Sequence, residues 1–160
     1  MKNIVLIGLP ASGKSTVAKC VAEELSRALA DTDALIEAEA GKSIAAIFRD
    51  EGEESFRARE KELLFRLAGE EDRVIATGGG AVLRPENVKA LKRNGRLVLL
   101  ERPAEELVPT ADRPLADTLE KMDRLRRERE PVYRAAADCT VQLKGSPEET
   151  ARETESRWLE

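Results

Sequence analysis

Nine residues near the start of the chain, Gly8-Leu9-Pro10-Ala11-Ser12-Gly13-Lys14-Ser15-Thr16, constrain the fold more than any other stretch. They follow Asn3-Ile4-Val5-Leu6-Ile7, a short branched apolar run with the length of a buried parallel strand. They precede Val17-Ala18-Lys19-Cys20-Val21-Ala22-Glu23-Glu24-Leu25, where apolar residues recur at helical spacing. Strand, glycine-rich turn and helix form the setting of a phosphate-binding loop. Gly8 and Gly13 allow backbone angles that a side chain would block, so successive N–H groups can converge on an anion. The helix N-terminus adds free donors and partial positive charge. Lys14 is expected to reach the terminal phosphates, and the Ser15 hydroxyl to ligate Mg²⁺. The stretch reads as a nucleoside triphosphate site.

The periodicity beyond it alternates strands with helices. A helix is expected from Lys14 to about Arg27, then a brief strand at Ala28-Leu29-Ala30 leading into Asp31-Thr32-Asp33. Short helices follow near Ala34 to Glu39 and from Ser43 to Asp50, the second with Ser43 as its N-cap. A longer helix covers about Glu53 to Leu67. Arg73 to Ala76 forms the third strand and runs into Thr77-Gly78-Gly79-Gly80. Pro85 opens a helix that Gly95 is expected to end, and Arg96 to Leu100 is the fourth strand. From Glu101 to Thr118 three prolines break every period, which predicts a mobile lid. A charged helix from Leu119 to Ala136, a strand alternating Cys139, Val141 and Leu143, and a terminal helix ending near Trp158 complete the chain. Five strands separated by helices predict one α/β domain over 1–160, three layers with a five-stranded parallel sheet and helices on both faces.

Composition excludes several classes. The 160 residues are 41% hydrophobic and 36% charged with net charge −4, which suits a globular domain and argues against a nucleic-acid partner. There is no histidine, so imidazole catalysis and the commonest zinc ligand are ruled out. Cys20 and Cys139 stand alone in apolar patterns and read as reduced core residues of a cytoplasmic protein. No apolar run approaches the roughly 20 residues of a membrane span, and the first strand begins at once, so neither a leader nor a membrane partner is expected.

In sheets of this kind ligands collect at the carboxyl ends of the strands. Asp31, Asp33, Thr77 and Gly78 to Gly80 are expected there, beside the phosphate loop. Asp31 and Asp33 can address different partners, a metal and a substrate hydroxyl, or be two solvated acids in a turn. The three glycines either admit a ligand to the backbone or form a plain loop. Arg57 and Glu60 are helical neighbours, as a surface ion pair or, following Phe56, as part of a pocket. Arg113 and Arg129 complete a set of cations suited to a negatively charged, hydroxyl-bearing small molecule beside ATP.

Taken in order, the loop Gly8 to Thr16, Asp31-Thr32-Asp33, Phe56-Arg57-Ala58-Arg59-Glu60, Gly78-Gly79-Gly80, Arg113-Pro114-Leu115 and Arg129-Glu130-Pro131-Val132-Tyr133 resemble shikimate kinase over nearly the whole chain. The resemblance implies a P-loop kinase fold and transfer of the ATP γ-phosphoryl group to the 3-hydroxyl of shikimate, in the pathway to aromatic amino acids, with Mg²⁺ as cofactor. It implies catalytic roles for Lys14, Asp33 and Arg113, with Asp33 holding the ring hydroxyls and accepting the proton of the attacking one. Arg57 and Arg129 would clamp the carboxylate, Glu60 would orient Arg57, and Gly78, Gly79 and Gly80 would line the acceptor. Ile44, Phe48, Phe56, Pro114 and Leu115 would form its apolar wall, on helices spanning about 34–67 and on the lid. ATP would lie on Gly8, Ala11, Ser12, Gly13, Lys14, Ser15 and Thr16, with Arg113, Ser146 and Pro147 alongside, and Ser15, Asp31 and Thr77 would serve the metal. A monomer is expected. Ala11 departs from the family's usual glycine, and the stretch Leu107 to Asp112 is short and lacks the basic residue usually found before the lid arginine.

The loop alone would also fit a gluconate-type sugar-acid kinase or a non-catalytic nucleotide-binding module. The first leaves Phe56-Arg57…Glu60 and the triple glycine without a purpose, and the second needs none of Asp33, Arg57 and Arg129.

Overall fold

Branched residues on both sides of the chain at β1 (Asn3–Ile7) leave neither face of that strand for water, and this places it at the centre of the sheet. The computed structural model describes residues 2–9, 13–102 and 118–159. After β1 come α1 (Lys14–Leu25), β2 (Ala28–Asp31), α2 (Thr32–Ala40), α3 (Ile44–Glu51) and α4 (Glu53–Ala68). They are followed by β3 (Arg73–Ala76), a 3-10 turn (Ala81–Leu83), α5 (Pro85–Arg93), β4 (Gly95–Glu101), α6 (Leu119–Ala136), β5 (Cys139–Gln142) and α7 (Pro147–Leu159). The strands pair in parallel in the order β2-β3-β1-β4-β5. The chain therefore leaves β1 toward one edge and later crosses from β3 over β1 to β4. That reversal opens a crevice at the carboxyl end of β1.

Strand alternation divides the core in two. Val5, Ile7, Ile75, Leu97 and Leu99 face α2 to α6, packing with Ile36, Ile47, Leu64, Leu91 and Tyr133. Ile4, Leu6, Val74, Val98 and Leu100 face α1 and α7, packing with Val17, Val21, Ala151 and Trp158. Each fully buried Ile or Leu contributes about 1.5–3 kcal/mol, so both helical layers are held by apolar burial. The three-layer α/β architecture agrees with the expectation from periodicity.

Several boundaries differ, each for a local reason. Helix α1 stops at Leu25, because Ser26 turns left-handed (φ 52°) and its N–H returns to the Ala22 and Glu23 carbonyls. Helix α2 begins at Thr32, two residues before the expectation, because Asp31 caps it by accepting from the Ala34 N–H (3.3 Å). Asp33 is thus a first-turn helical residue and not part of a turn. Gly95 does not end α5. Asn94 does, and Gly95 opens β4 where a Cβ would lie 2.9 Å from the Leu91 carbonyl oxygen. Leu143 lies just past β5, its N–H donating to the Glu101 carbonyl (2.7 Å). Among the described residues Cys20 and Cys139 form no disulfide, and both are half-buried at the margin of the second core, not within it. Among the described residues no helix is long and apolar enough to cross a membrane. The expected lid, with Arg113, Pro114 and Leu115, and the loop residues Ala11 and Ser12 fall outside the described residues, apart from the lid margins 101–102 and 118.

Candidate active site

The chain leaves β1 through Gly8 at φ 149°, an angle that favours glycine, and a Cβ there would sit 2.6 Å from the Leu100 carbonyl oxygen. The loop re-enters helix at Gly13, the N-cap of α1, which has no side-chain cap. The partial positive charge of that helix N-terminus suits an anion. Lys14, 6% exposed, donates to the carbonyls of Gly8 (2.8 Å) and Leu9 (2.6 Å), so its ammonium lies across the mouth of the loop. Thr16 stands exposed one turn into α1.

Ser15 donates to Oδ2 of Asp31 at 2.8 Å, joining the start of α1 to the end of β2. Asp31 spends its other oxygen on the α2 cap, which leaves Oδ2 directed at the phosphate loop. A hydroxyl and a carboxylate oxygen at this separation form the sparse oxygen set that Mg²⁺ uses when phosphates and water complete its shell. Thr77, the third residue expected at the metal, is buried, and both its N–H and its hydroxyl donate to the Leu6 carbonyl (3.1 and 2.8 Å). Only its lone pairs remain to accept from a bound water.

Gly78, Gly79 and Gly80 are buried at the exit of β3, between two groups of charged side chains. A Cβ on Gly78 would meet Asp33 Oδ1 at 2.6 Å and Glu60 Oε2 at 3.1 Å. A Cβ on Gly80 would overlap the Arg57 guanidinium. The Gly78 N–H donates to the Thr32 hydroxyl (3.1 Å), which fastens the loop to the start of α2 beside Asp33. Gly78 and Gly80 are therefore packing requirements of this cleft, and the run is more than a plain loop.

Arg57 and Glu60 form a buried pair, not a surface one. Arg57 is 7% exposed and Glu60 1%, with Arg57 Nη1 donating to Glu60 Oε1 at 2.9 Å. The Arg57 Nε also reaches Glu53 (3.5 Å), and its guanidinium lies 5.1 Å from the centre of the Phe56 ring. Phe48 meets Phe56 with ring centres 5.1 Å apart, and Ile44 packs half-buried beside them. Burial pushes the Glu60 carboxyl above the usual carboxylate range, opposed by Arg57, reinforced by the Asp33 charge and eased by Arg129. Oε2 of Glu60 is buried with no hydrogen-bond partner among the described residues. A buried acceptor in that state is matched to a hydroxyl or ammonium group entering the cleft.

Arg129 is 5% exposed at the inner end of a cavity of about 400 Å³ that also involves Lys121, Arg124 and Glu128 of α6 and Glu53. One turn further along α6, Tyr133 was not singled out from the sequence as a site residue. Its hydroxyl donates to the Gly79 carbonyl (2.5 Å) and lies within the field of the Arg129 charge. Burial raises its pKa to about 12, so it stays a neutral donor. The spacing Arg129 to Tyr133, i to i+4 on one helix, is the signal that could have found it. On the nucleotide side, Ser146 accepts from the Glu149 N–H (3.1 Å) and opens α7, with Pro147 exposed behind it.

The arrangement is a triphosphate cradle and a metal-competent oxygen pair next to a buried cleft holding one acidic and one cationic group on either side of a glycine backbone. Comparison with known proteins agrees. The family model described as shikimate kinase matches residues 10–158. A shikimate kinase of Symbiobacterium thermophilum is 47% identical over 148 residues, covering 87% of this chain and 85% of that protein. One of Caldanaerobacter subterraneus subsp. tengcongensis is 44% identical, covering 96% of this chain and 94% of that protein. Among solved structures, the shikimate kinase from Acinetobacter baumannii in complex with shikimate superimposes with a TM-score of 0.93 at 35% identity, covering 99% of this chain and 93% of that one. The chain described here belongs to the shikimate kinase family.

Proposed function

We propose that this chain transfers the γ-phosphoryl group of ATP to the 3-hydroxyl of shikimate, giving shikimate 3-phosphate and ADP. The observation that carries this reading is the Gly78–Gly80 backbone held between Asp33 and Glu60 on one side and Arg57 on the other. A planar carboxylate suits the paired donors of arginine, so Arg57, with Arg129 as its companion, takes the acceptor's carboxylate. Asp33, whose carboxylate lies at the opposite end of the glycine run, takes the ring hydroxyls and receives the proton of the one that attacks. Glu60 fixes the direction of Arg57 through Oε1 and keeps Oε2 for the acceptor's side of the cleft. Ile44, Phe48 and Phe56 supply the apolar wall.

Lys14 and the first-turn amides of α1 hold the transferring phosphates and neutralise the charge that spreads over them. Ser15 and Asp31 would hold Mg²⁺, which would supply positive charge against the phosphates. Thr77 enters this reading through a water molecule. Arg113, Pro114 and Leu115 enter it by the family resemblance, as the closing arginine and the outer wall of the acceptor site. A single chain contains every residue named, so the reading is of a monomer. Two cysteines that form no disulfide among the described residues support a cytoplasmic location.

The test is ADP release followed with ATP, Mg²⁺ and one acceptor at a time. Turnover with shikimate and none with gluconate supports the reading. ADP release with gluconate alone, or tight ATP binding without phosphorylation of either acid, overturns it.

A further inference from the structure

Strand β4 runs in register with β1, Leu99 opposite Ile7, so the chain leaving β4 travels alongside the chain leaving β1. The second of these is the phosphate loop. The first carries Arg102, three residues past Leu99 and half-buried. Its Nη2 lies 3.2 Å from the point where a Cβ on Gly13 would stand, with Leu143 Cδ2 at 3.8 Å from the same point. Arg102 also lines, with Leu9, a small cavity of about 30 Å³ between β4 and α6. A guanidinium therefore lies beside Gly13, where α1 begins.

Charge and donors at Gly13 favour one ligand chemistry. Helix α1 has no acidic residue in its first turn and no side-chain cap, so no carboxylate of that turn offsets its N-terminal partial charge. The adjacent carboxylate of Glu101 is drawn the other way, accepting from Gln142 Nε2 (3.4 Å) and pairing with Arg134 (3.6 Å). Cationic fork and helix N-terminus thus face the same volume, and phosphate oxygens are the anions that the loop brings there. We propose that Arg102 is a nucleotide-binding residue, its guanidinium contacting the diphosphate oxygens common to ATP and ADP at the Gly13 end of the loop.

A contact made equally to ATP, to ADP and to the transferring state strengthens binding without lowering the chemical barrier. Arg102→Met, which keeps the apolar stem, should raise the Kd for ADP and the KM for ATP by roughly ten-fold or more, since a charge-assisted hydrogen bond is lost. The kcat at saturating ATP and the Kd for shikimate measured without nucleotide should hold. Inorganic tripolyphosphate, which has no base or sugar, should lose affinity by the same factor as ADP in calorimetric titration. An unchanged ADP affinity overturns the proposal. Loss of ADP affinity with tripolyphosphate unaffected moves the contact to the nucleoside and also overturns it. Equal weakening of shikimate and ADP marks a structural role and does the same. None of these outcomes bears on whether shikimate is the acceptor.

Discussion

The Ser15 hydroxyl and Oδ2 of Asp31 lie 2.8 Å apart, although one opens α1 and the other closes β2. A proton now occupies the line between two oxygens that a divalent cation would share. Asp31 cannot turn away freely, because its second oxygen accepts from the Ala34 N–H. Replacing Asp31 by Asn keeps the cap, turns the second oxygen into an NH₂ that donates to Ser15 instead of accepting from it, and removes the charge. The expected result is a kcat lower by roughly 10²-fold or more at ordinary Mg²⁺, partly recovered at high Mg²⁺. Initial rates over a Mg²⁺ series check this, and a variant with an unshifted Mg²⁺ dependence would remove Asp31 from the metal site.

Arg57 and Glu60 share a cleft with almost no solvent. Removing Arg57 strands a carboxylate that is 1% exposed, while Glu60→Gln leaves a neutral amide beside the arginine. Arg57→Ala should cost about 3–5 kcal/mol of stability together with its shikimate affinity. Glu60→Gln should lose less stability but leave Arg57 less well directed, weakening shikimate more than ATP. Urea melts and calorimetry on the two variants separate the effects. Equal shikimate affinity in Glu60→Gln and the parent would show that Glu60 does not orient Arg57.

The space over Gly80 is filled by the Arg57 guanidinium, so even one methyl group must push that arginine aside. Gly80→Ala should lower shikimate affinity at least ten-fold and leave ADP affinity within about two-fold. Parallel titrations with the two ligands read this out.

Tyr133 ties α6, one turn beyond Arg129, to the Gly79 carbonyl. Tyr133→Phe keeps the ring in the core and deletes that tie, leaving a buried carbonyl unpaired at a cost of about 1–3 kcal/mol. The KM for shikimate should rise while the KM for ATP holds. An unchanged ratio of the two KM values would make Tyr133 a core residue only.

Far from the cleft, where α7 packs on α1, the carboxyl of Glu155 stands against that of Glu24. Burial and the Glu24 carboxyl beside it, against a smaller opposing effect of Arg152, raise its pKa to about 7. Between the ordinary glutamate value of 4.5 and about 7 the folded chain holds a proton that the unfolded chain has released. Stability from this pair is complete below that window and falls as pH rises through it. Glu155→Gln should flatten the Tm profile between pH 5 and pH 8 relative to the parent. Profiles that run parallel across that range would contradict the retained proton.

How much of this was legible in the sequence depends on distance along the chain. The phosphate loop was readable because strand, glycines, lysine and helix all lie within some twenty residues, and local sterics decide their conformation. Ser43 as an N-cap and the period-two strands were readable for the same reason. Whether Arg57 and Glu60 were a surface pair or a buried one could not be decided from i, i+3 spacing. That depended on which face of α4 meets the cleft, and hence on the β2-β3-β1 strand order that places α2 and the Gly78–Gly80 loop against it. The ends of α1 and α5 turned on single backbone angles and on how closely Gly95 approaches Leu91 and Asn3, contacts that exist only once β4 is seated. Arg102 carried no motif at all. Its place beside Gly13 follows from the parallel register of β4 on β1, because strand pairing is a long-range choice made by the whole core and local sequence has no part in it.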